Sequence, residues 1–130
     1  MAYKRGIKQE RDLVNWLYDK GFQALRCAGS GAGTKRPLPD IMAGNQYFSY
    51  GIELKSSNQD YIRIADSQIE GLKYFCAGFG AVPIVCANFT RLPYAFFNIN
   101  EIPLTRNGHY KITRDFVENR VFVGRNVTLK

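Results

Sequence analysis

The chain has 130 residues, 45% of them apolar, and a formal net charge of +7, a length that suits one folded domain with a real core and is too short for two. The charge favours a polyanionic partner, nucleic acid ahead of an acidic membrane surface. No apolar run approaches the ~20 residues that cross a bilayer, and Met1 to Gly6 lack the apolar core of a signal peptide, so a cytoplasmic protein with no membrane partner is expected.

From about Arg5 to Lys20, the apolar residues Ile7, Leu13, Val14, Trp16 and Leu17 recur at helical spacing, and Gly21 supplies a stop. Glu10 precedes Leu13, Val14 and Leu17 by helical intervals and so points along the apolar side, where an unpaired carboxylate is costly. An ion pair with Lys8 or Arg11 is one way to compensate it. Lys4 and Arg5 sit just before this predicted helix, against its dipole. A bound phosphate would reconcile that placement, and a frayed, solvated end would explain it equally well.

Phe22 to Cys27 reads as a strand and leads into a glycine-rich loop, Ala28 to Pro37. Its freed backbone amides, with the Ser30 hydroxyl and the cations Lys35 and Arg36, suit phosphate contacts. No Walker pattern is present, so the expectation is DNA backbone and not nucleotide. A plain surface loop is the competing account.

Ile41 to Ala43 is a short apolar piece joined through Gly44-Asn45 to a predicted strand running from Tyr47 past Leu54, which together make a hairpin. Strand alternation puts Ile52 and Leu54 on one face and Glu53 and Lys55 on the other. Across the hairpin, Asp40 can face Glu53, a pairing of like charges that is normally destabilising. At ~4 Å the repulsion is about 1 kcal/mol in water and several times that near a protein surface. A divalent cation relieves it, and Mg²⁺ is commonly held by one or two carboxylates plus water and phosphate oxygens. Lys55 adds a point charge on the same face. Taken singly, Pro39-Asp40 is also an ordinary turn dipeptide, and Glu53-x-Lys55 an ordinary solvated ion pair.

Tyr61 to Ile64 suggests another short strand. Ser67 with Glu70 has the form of a capping box opening a helix that carries Ile69, Leu72, Phe75, Cys76 and Phe79 and ends at Gly78 or Gly80. Gln68 falls in its first turn. Val82 to Ala87 and Tyr94 to Ile99 read as two further strands. Phe75, Phe79, Phe96 and Phe97 exceed what one small sheet needs, and an exposed remainder would suit a dimer interface. The three cysteines, Cys27, Cys76 and Cys86, are far apart among apolar neighbours and are expected as reduced thiols. His109, alone in a hairpin-like turn, is expected at the surface, and the pattern beyond Tyr110 is ambiguous.

The ordered set Arg5-Gly6, Glu10-Arg11, Asp19-Lys20-Gly21-Phe22, Arg26 with Gly29-Ser30, Pro39-Asp40, Glu53-Leu54-Lys55 and Gln68 with Glu70-Gly71 resembles the PD-(D/E)xK nuclease superfamily. Within it, the nearer likeness is to the archaeal type of Holliday-junction resolvase, from about Arg5 to about Phe97. The resemblance implies an α/β fold with a restriction-endonuclease-like mixed sheet flanked by helices, in the order α-β-β-β-α-β-β. It implies Asp40 and Glu53 as metal ligands, helped by the Leu54 carbonyl, with Glu10 completing the acidic set. Lys55 would activate or position the attacking water, and Gln68 would orient a water nearby. Lys4, Arg5, Arg11, Arg26, Ser30, Lys35 and Arg36 are expected to contact DNA. The expected cofactor is Mg²⁺, replaceable by Mn²⁺, with no small-molecule cofactor. The expected substrate is a four-way junction, whose two-fold symmetry an isologous homodimer would match. A related nuclease for duplex, flap or damaged DNA, and a non-catalytic basic DNA-binding module, are the alternatives.

Overall fold

The computed structural model describes residues 2–27 and 36–122. The elements follow in the order α1 (Ala2–Asp19), β1 (Gln23–Arg26), β2 (Ile41–Gly44), β3 (Ser49–Ser57), β4 (Tyr61–Ile64), α2 (Asp66–Phe79), β5 (Val82–Phe89), β6 (Ala95–Asn98), a 3-10 turn (Ile99–Glu101), β7 (Tyr110–Thr113) and α3 (Arg114–Phe122). Ser30 and Lys35 lie outside the described residues, with the rest of the glycine-rich stretch up to Lys35.

Helix α1 begins earlier than its apolar stripe, because Ala2, Lys4 and Arg5 are helix formers that need no buried face to extend it. The backbone of Lys4 and Arg5 is therefore in the first turn and not ahead of the helix; their side chains fall outside the described residues. At the other end the Phe22 N–H donates to the Leu17 carbonyl and the Gly21 N–H to the Tyr18 carbonyl, each at 3.0 Å. Gly21 has φ +94°, the left-handed step that this double closure requires and that glycine adopts without strain. Leu13 and Leu17 are fully buried.

Five strands form one sheet in the order β1-β2-β3-β5-β6. All neighbours are antiparallel except β3 and β5, whose parallel pairing needs a long crossover that β4 and α2 supply. The β2-to-β3 hairpin closes on Asn45, whose side-chain oxygen accepts the N–H groups of Tyr47 and Phe48, both at 2.8 Å. This Asx turn takes Tyr47 and Phe48 out of the predicted strand, leaving both exposed. Strand β3 starts instead at Ser49, paired with Gly44.

One core packs on each face of the sheet. Under α1 lie Leu13, Leu17, Ile41, Ile52, Ile84 and Phe96. The opposite core joins α2 to Val85, Phe89 and Phe97 and is closed by Ile62, Ile64, Ile112 and Val117. Those last four come from a separate two-stranded ribbon of β4 with β7 and from α3. This closure corrects the expectation that Phe96 and Phe97 are exposed. Phe97 is covered by Phe116 and by the Arg120 guanidinium, 4.7 Å above its ring, and Phe96 packs on Trp16. Of the four phenylalanines in question, Phe79 is exposed, and it stacks on half-buried Phe75 at 5.4 Å.

Helix α2 starts at Asp66 with Ala65 as its N-cap and without a side-chain cap, so the predicted Ser67-to-Glu70 box does not form. Its end is Gly80, at φ +92°; Gly78 is inside the helix. Cys76 and Cys86 are buried free thiols and Cys27 a half-buried one. Among the described residues, no helix is long and apolar enough to cross a membrane.

Helix α2 rests close on β3 because position 51 has no side chain. A Cβ at Gly51 would lie 2.5 Å from Cys76 Sγ and 3.5 Å from Pro39 Cγ. Gly51→Ala is expected to cost about 1–3 kcal/mol by overpacking. Urea melts should show Cys76→Ala recovering part of that loss when the two changes are combined; strictly additive losses would contradict the contact.

Candidate active site

The hairpin register pairs Ile41 with Ile52, and continuing it by one step sets Asp40 opposite Glu53. Asp40 stands just outside β2 yet is held as if within the sheet. Its N–H donates to the Ile52 carbonyl and its carbonyl accepts the Cys27 N–H, both at 2.9 Å. Pro39, ahead of it, is fully buried. Asp40 Oδ2 accepts the Leu54 N–H at 2.8 Å, which fixes the carboxylate against β3. Pleating then directs Asp40 and Glu53 to the α2 face, with Ile52 on the α1 face.

Lys55, two residues beyond Glu53, lies on the same face with Nζ 3.6 Å from Glu53 Oε2; the side chains are 24% and 15% exposed. A cleft of about 340 Å³ is lined by Pro37, Leu38, Asp40, Glu53, Ser67, Gln68, Gly71 and Leu72. The first turn of α2 thus brings Gln68 to the carboxylate pair. Ser67 joins it there, a residue that reads as a cap in the sequence and carries no other local signal. Gly71 lets the incoming Pro37 segment cross α2 closely, since a Cβ there would lie 3.0 Å from Pro37 Cβ.

Glu10 is not paired with Lys8 or Arg11. Its Oε1 accepts from Arg26 Nε at 3.1 Å, across from α1 to β1, while Lys8 pairs with Asp12. Arg26 is thereby tied to the acidic site, and Arg11 and Arg36 are exposed on the surface. Glu10 is near enough for its charge to push up the carboxyl of Asp40, behind the larger effect of burial and against the lowering Leu54 N–H. It does not complete a ligand shell: among the described residues no three His, Cys, Asp or Glu side chains stand together to hold one ion. Asp40, Glu53, Lys55 and Gln68 are brought together, and Glu10 with Arg26 forms a neighbouring pair.

A model of the family described as archaeal Holliday junction resolvase (hjc) matches residues 1–126. The chain belongs to that family. It is 35% identical over 108 residues to the crossover junction endodeoxyribonuclease Hjc of Archaeoglobus fulgidus, spanning 83% of this chain and 78% of the relative. To the Hjc of Sulfolobus acidocaldarius it is 34% identical over 107 residues, 82% and 74% of the two chains. The crystal structure of Archaeoglobus fulgidus Hjc, a Holliday junction resolvase from an archaeal hyperthermophile, superimposes with a TM-score of 0.79 at 33% identity, covering 86% of this chain and 89% of that one. The mixed sheet flanked by helices is the fold of this resolvase family.

In this resolvase-family chain, the donor set suits a hard dication. Two carboxyls face each other in a partly desolvated cleft, and both are pushed up, by burial first; the charge of Asp40 then adds to the rise of Glu53, to about 7, and the charge of Glu10 to that of Asp40. Such a pair stays short of positive charge even with Lys55 beside it. The sign of the pH dependence follows. Unfolded Glu53 titrates near ~4.3, so between there and about 7 the native chain holds a proton that the unfolded chain releases, and stability falls with rising pH. In EDTA, the melting temperature should decline from pH 5 to pH 7.5 more steeply than that of Glu53→Gln; parallel curves would contradict the shift.

Proposed function

We propose that this chain is a metal-dependent endonuclease that resolves four-way DNA junctions by paired phosphodiester cleavage. The observation that carries the reading is the in-register, half-buried Asp40 and Glu53 pair beside Lys55, in a chain of the resolvase family. Asp40 and Glu53, with the Leu54 carbonyl, would hold Mg²⁺, for which Mn²⁺ substitutes. When bound, such a cation supplies Lewis acidity to the scissile phosphate and the attacking water.

The chain's own groups do the rest. The Leu54 N–H and the sheet hold Asp40 in one orientation, so little reorganisation is needed when charge develops. Lys55 Nζ, on the cleft side of β3, positions the attacking water and offsets negative charge on the pentavalent phosphorus. Arg26 holds Glu10 at the edge of the acidic set, and Gln68 orients water from the helix side. Lys4, Arg5, Arg11, Ser30, Lys35 and Arg36 are the proposed backbone contacts, with Arg26 reaching the same strand. Two copies in an isologous homodimer would present one site to each of two symmetry-related strands, with the exposed Phe79 and its partner Phe75 as the apolar surface available for pairing. In this reading the whole chain is one nuclease domain working in the cytoplasm.

The test is cleavage of a fixed four-way junction and of a linear duplex of the same sequence, with and without Mg²⁺. Symmetric nicks in the junction alone are expected. Asp40→Asn and Glu53→Gln should each lower the single-turnover rate by about a thousand-fold, the several kcal/mol that a metal-organised site supplies, while junction binding in Ca²⁺ stays within a few-fold. Cutting by Asp40→Asn at the wild-type rate would overturn the assignment, and equal cutting of the duplex would move it to the duplex or repair class.

A further inference from the structure

The ribbon of β4 with β7 buries one face and exposes the other. Ile62 and Ile112, paired across it, are both in the core, and Ile64 is buried beside them. The outer face carries Tyr61 opposite Thr113 and Arg63 opposite Lys111. Two cations directly opposite on an antiparallel pair repel. Among the described residues neither has an acidic partner within 4 Å, whereas Arg114, which follows the ribbon directly, is paired with Glu118 at 3.3 Å. Instead both lean on the Tyr61 ring, Arg63 at 5.9 Å and Lys111 at 5.1 Å from its centroid. Tyr61 is 43% exposed, and the Thr113 hydroxyl is occupied, accepting the Phe116 N–H at the start of α3. The inward isoleucines and the backbone hydrogen bonds from Lys111 to Pro103 and from Arg114 to Asp60 anchor the ribbon without these two side-chain charges.

The placement ties the patch to the cleft. Strand β4 follows the Lys55 strand after a short turn, and only Ile64, Ala65, Asp66 and Ser67 separate Arg63 from Gln68. We infer that the outer face of this ribbon, Arg63 and Lys111 gathered over Tyr61, is a second DNA contact that grips the phosphate backbone of a duplex arm outside the cutting site. A phosphate between the two cations removes their repulsion, and Tyr61 offers a flat apolar face to the deoxyribose. The contact is sequence-independent, since it reads charge and not base edges. The inference rests on the junction-nuclease reading only for which DNA is bound, so binding and cutting are measured apart.

Affinity for the four-way junction is measured in EDTA, where no cutting occurs, over a range of salt, for the wild-type chain and for Arg63→Gln with Lys111→Gln. The double variant should bind about ten-fold more weakly at low salt, and its log–log salt dependence should be shallower by about 1.8, the slope of two lost phosphate contacts. Unchanged affinity and slope would overturn the ribbon contact and leave the patch for an acidic protein partner. A measurement on the wild-type chain guards against a misfolded variant: acetylation of Lys111 by an amine-reactive reagent should drop several-fold when the junction is bound, and equal labelling overturns the contact. A chain that binds in this way and never cleaves overturns the resolvase reading alone. A chain that cleaves, with neither effect present, overturns the ribbon alone.

Discussion

The register of the β2-to-β3 hairpin is the constraint on which the site depends. Because side chains alternate with a period of two, a slip of one residue would send Glu53 and Lys55 into the apolar core under α1 and bring Ile52 and Leu54 to the cleft. Two features prevent it. Asn45 closes the turn with its side chain, at a loop length that pairs Gly44 with Ser49. At the far end Ile41 and Ile52, both fully buried, penalise any other parity. The acid pair is held by apolar packing on the opposite face of the same two strands.

Magnitudes explain why the salt bridge from Lys55 to Glu53 does not by itself neutralise the pair. At 3.6 Å and an effective dielectric of about 20, the attraction of Lys55 for Glu53 is about 5 kcal/mol. Repulsion from Asp40 across the hairpin is of similar order, so the two charge effects largely cancel. What remains is the cost of burial, which is why Glu53 is pushed up to about 7 with desolvation as the leading cause. One lysine is therefore too little positive charge for two half-buried carboxylates, a deficit that a dication fits.

The parts of this arrangement that are legible in the sequence are the local ones. Alternation along β3 and the turn at Gly44-Asn45 are enough to oppose Asp40 and Glu53, and the stripe on α1 is enough to place Glu10 at an edge of the core. The partner of Glu10 is not legible, because Arg26 is 16 residues away on another element and pattern reading favours the near neighbours Lys8 and Arg11. Ser67 misleads for a related reason. The Ser-x-x-Glu spacing is correct, but Ala65 already serves as the cap, its carbonyl accepting the Gln68 and Ile69 N–H groups, and Ser67 lines the cleft instead.

The second core shows the same limit at larger scale. Ile62 and Ile64 look like a short strand with no obvious sheet to join, Ile112 and Val117 look like scattered apolar residues, and Phe97 looks surplus. Each is explained only by the others: β4 needs β7 for its backbone hydrogen bonds, β7 needs Thr113 to start α3, and α3 needs Phe97 beneath Phe116. Such mutual dependence between segments about 50 residues apart has no periodic signature. It also means that the ribbon is not an ornament on the nuclease sheet. By burying one face against α2, it packs on the helix whose first turn lines the cleft, and its other face carries Arg63 and Lys111. A substrate gripped there would be positioned relative to Asp40 and Glu53 by the same apolar core that holds the fold together.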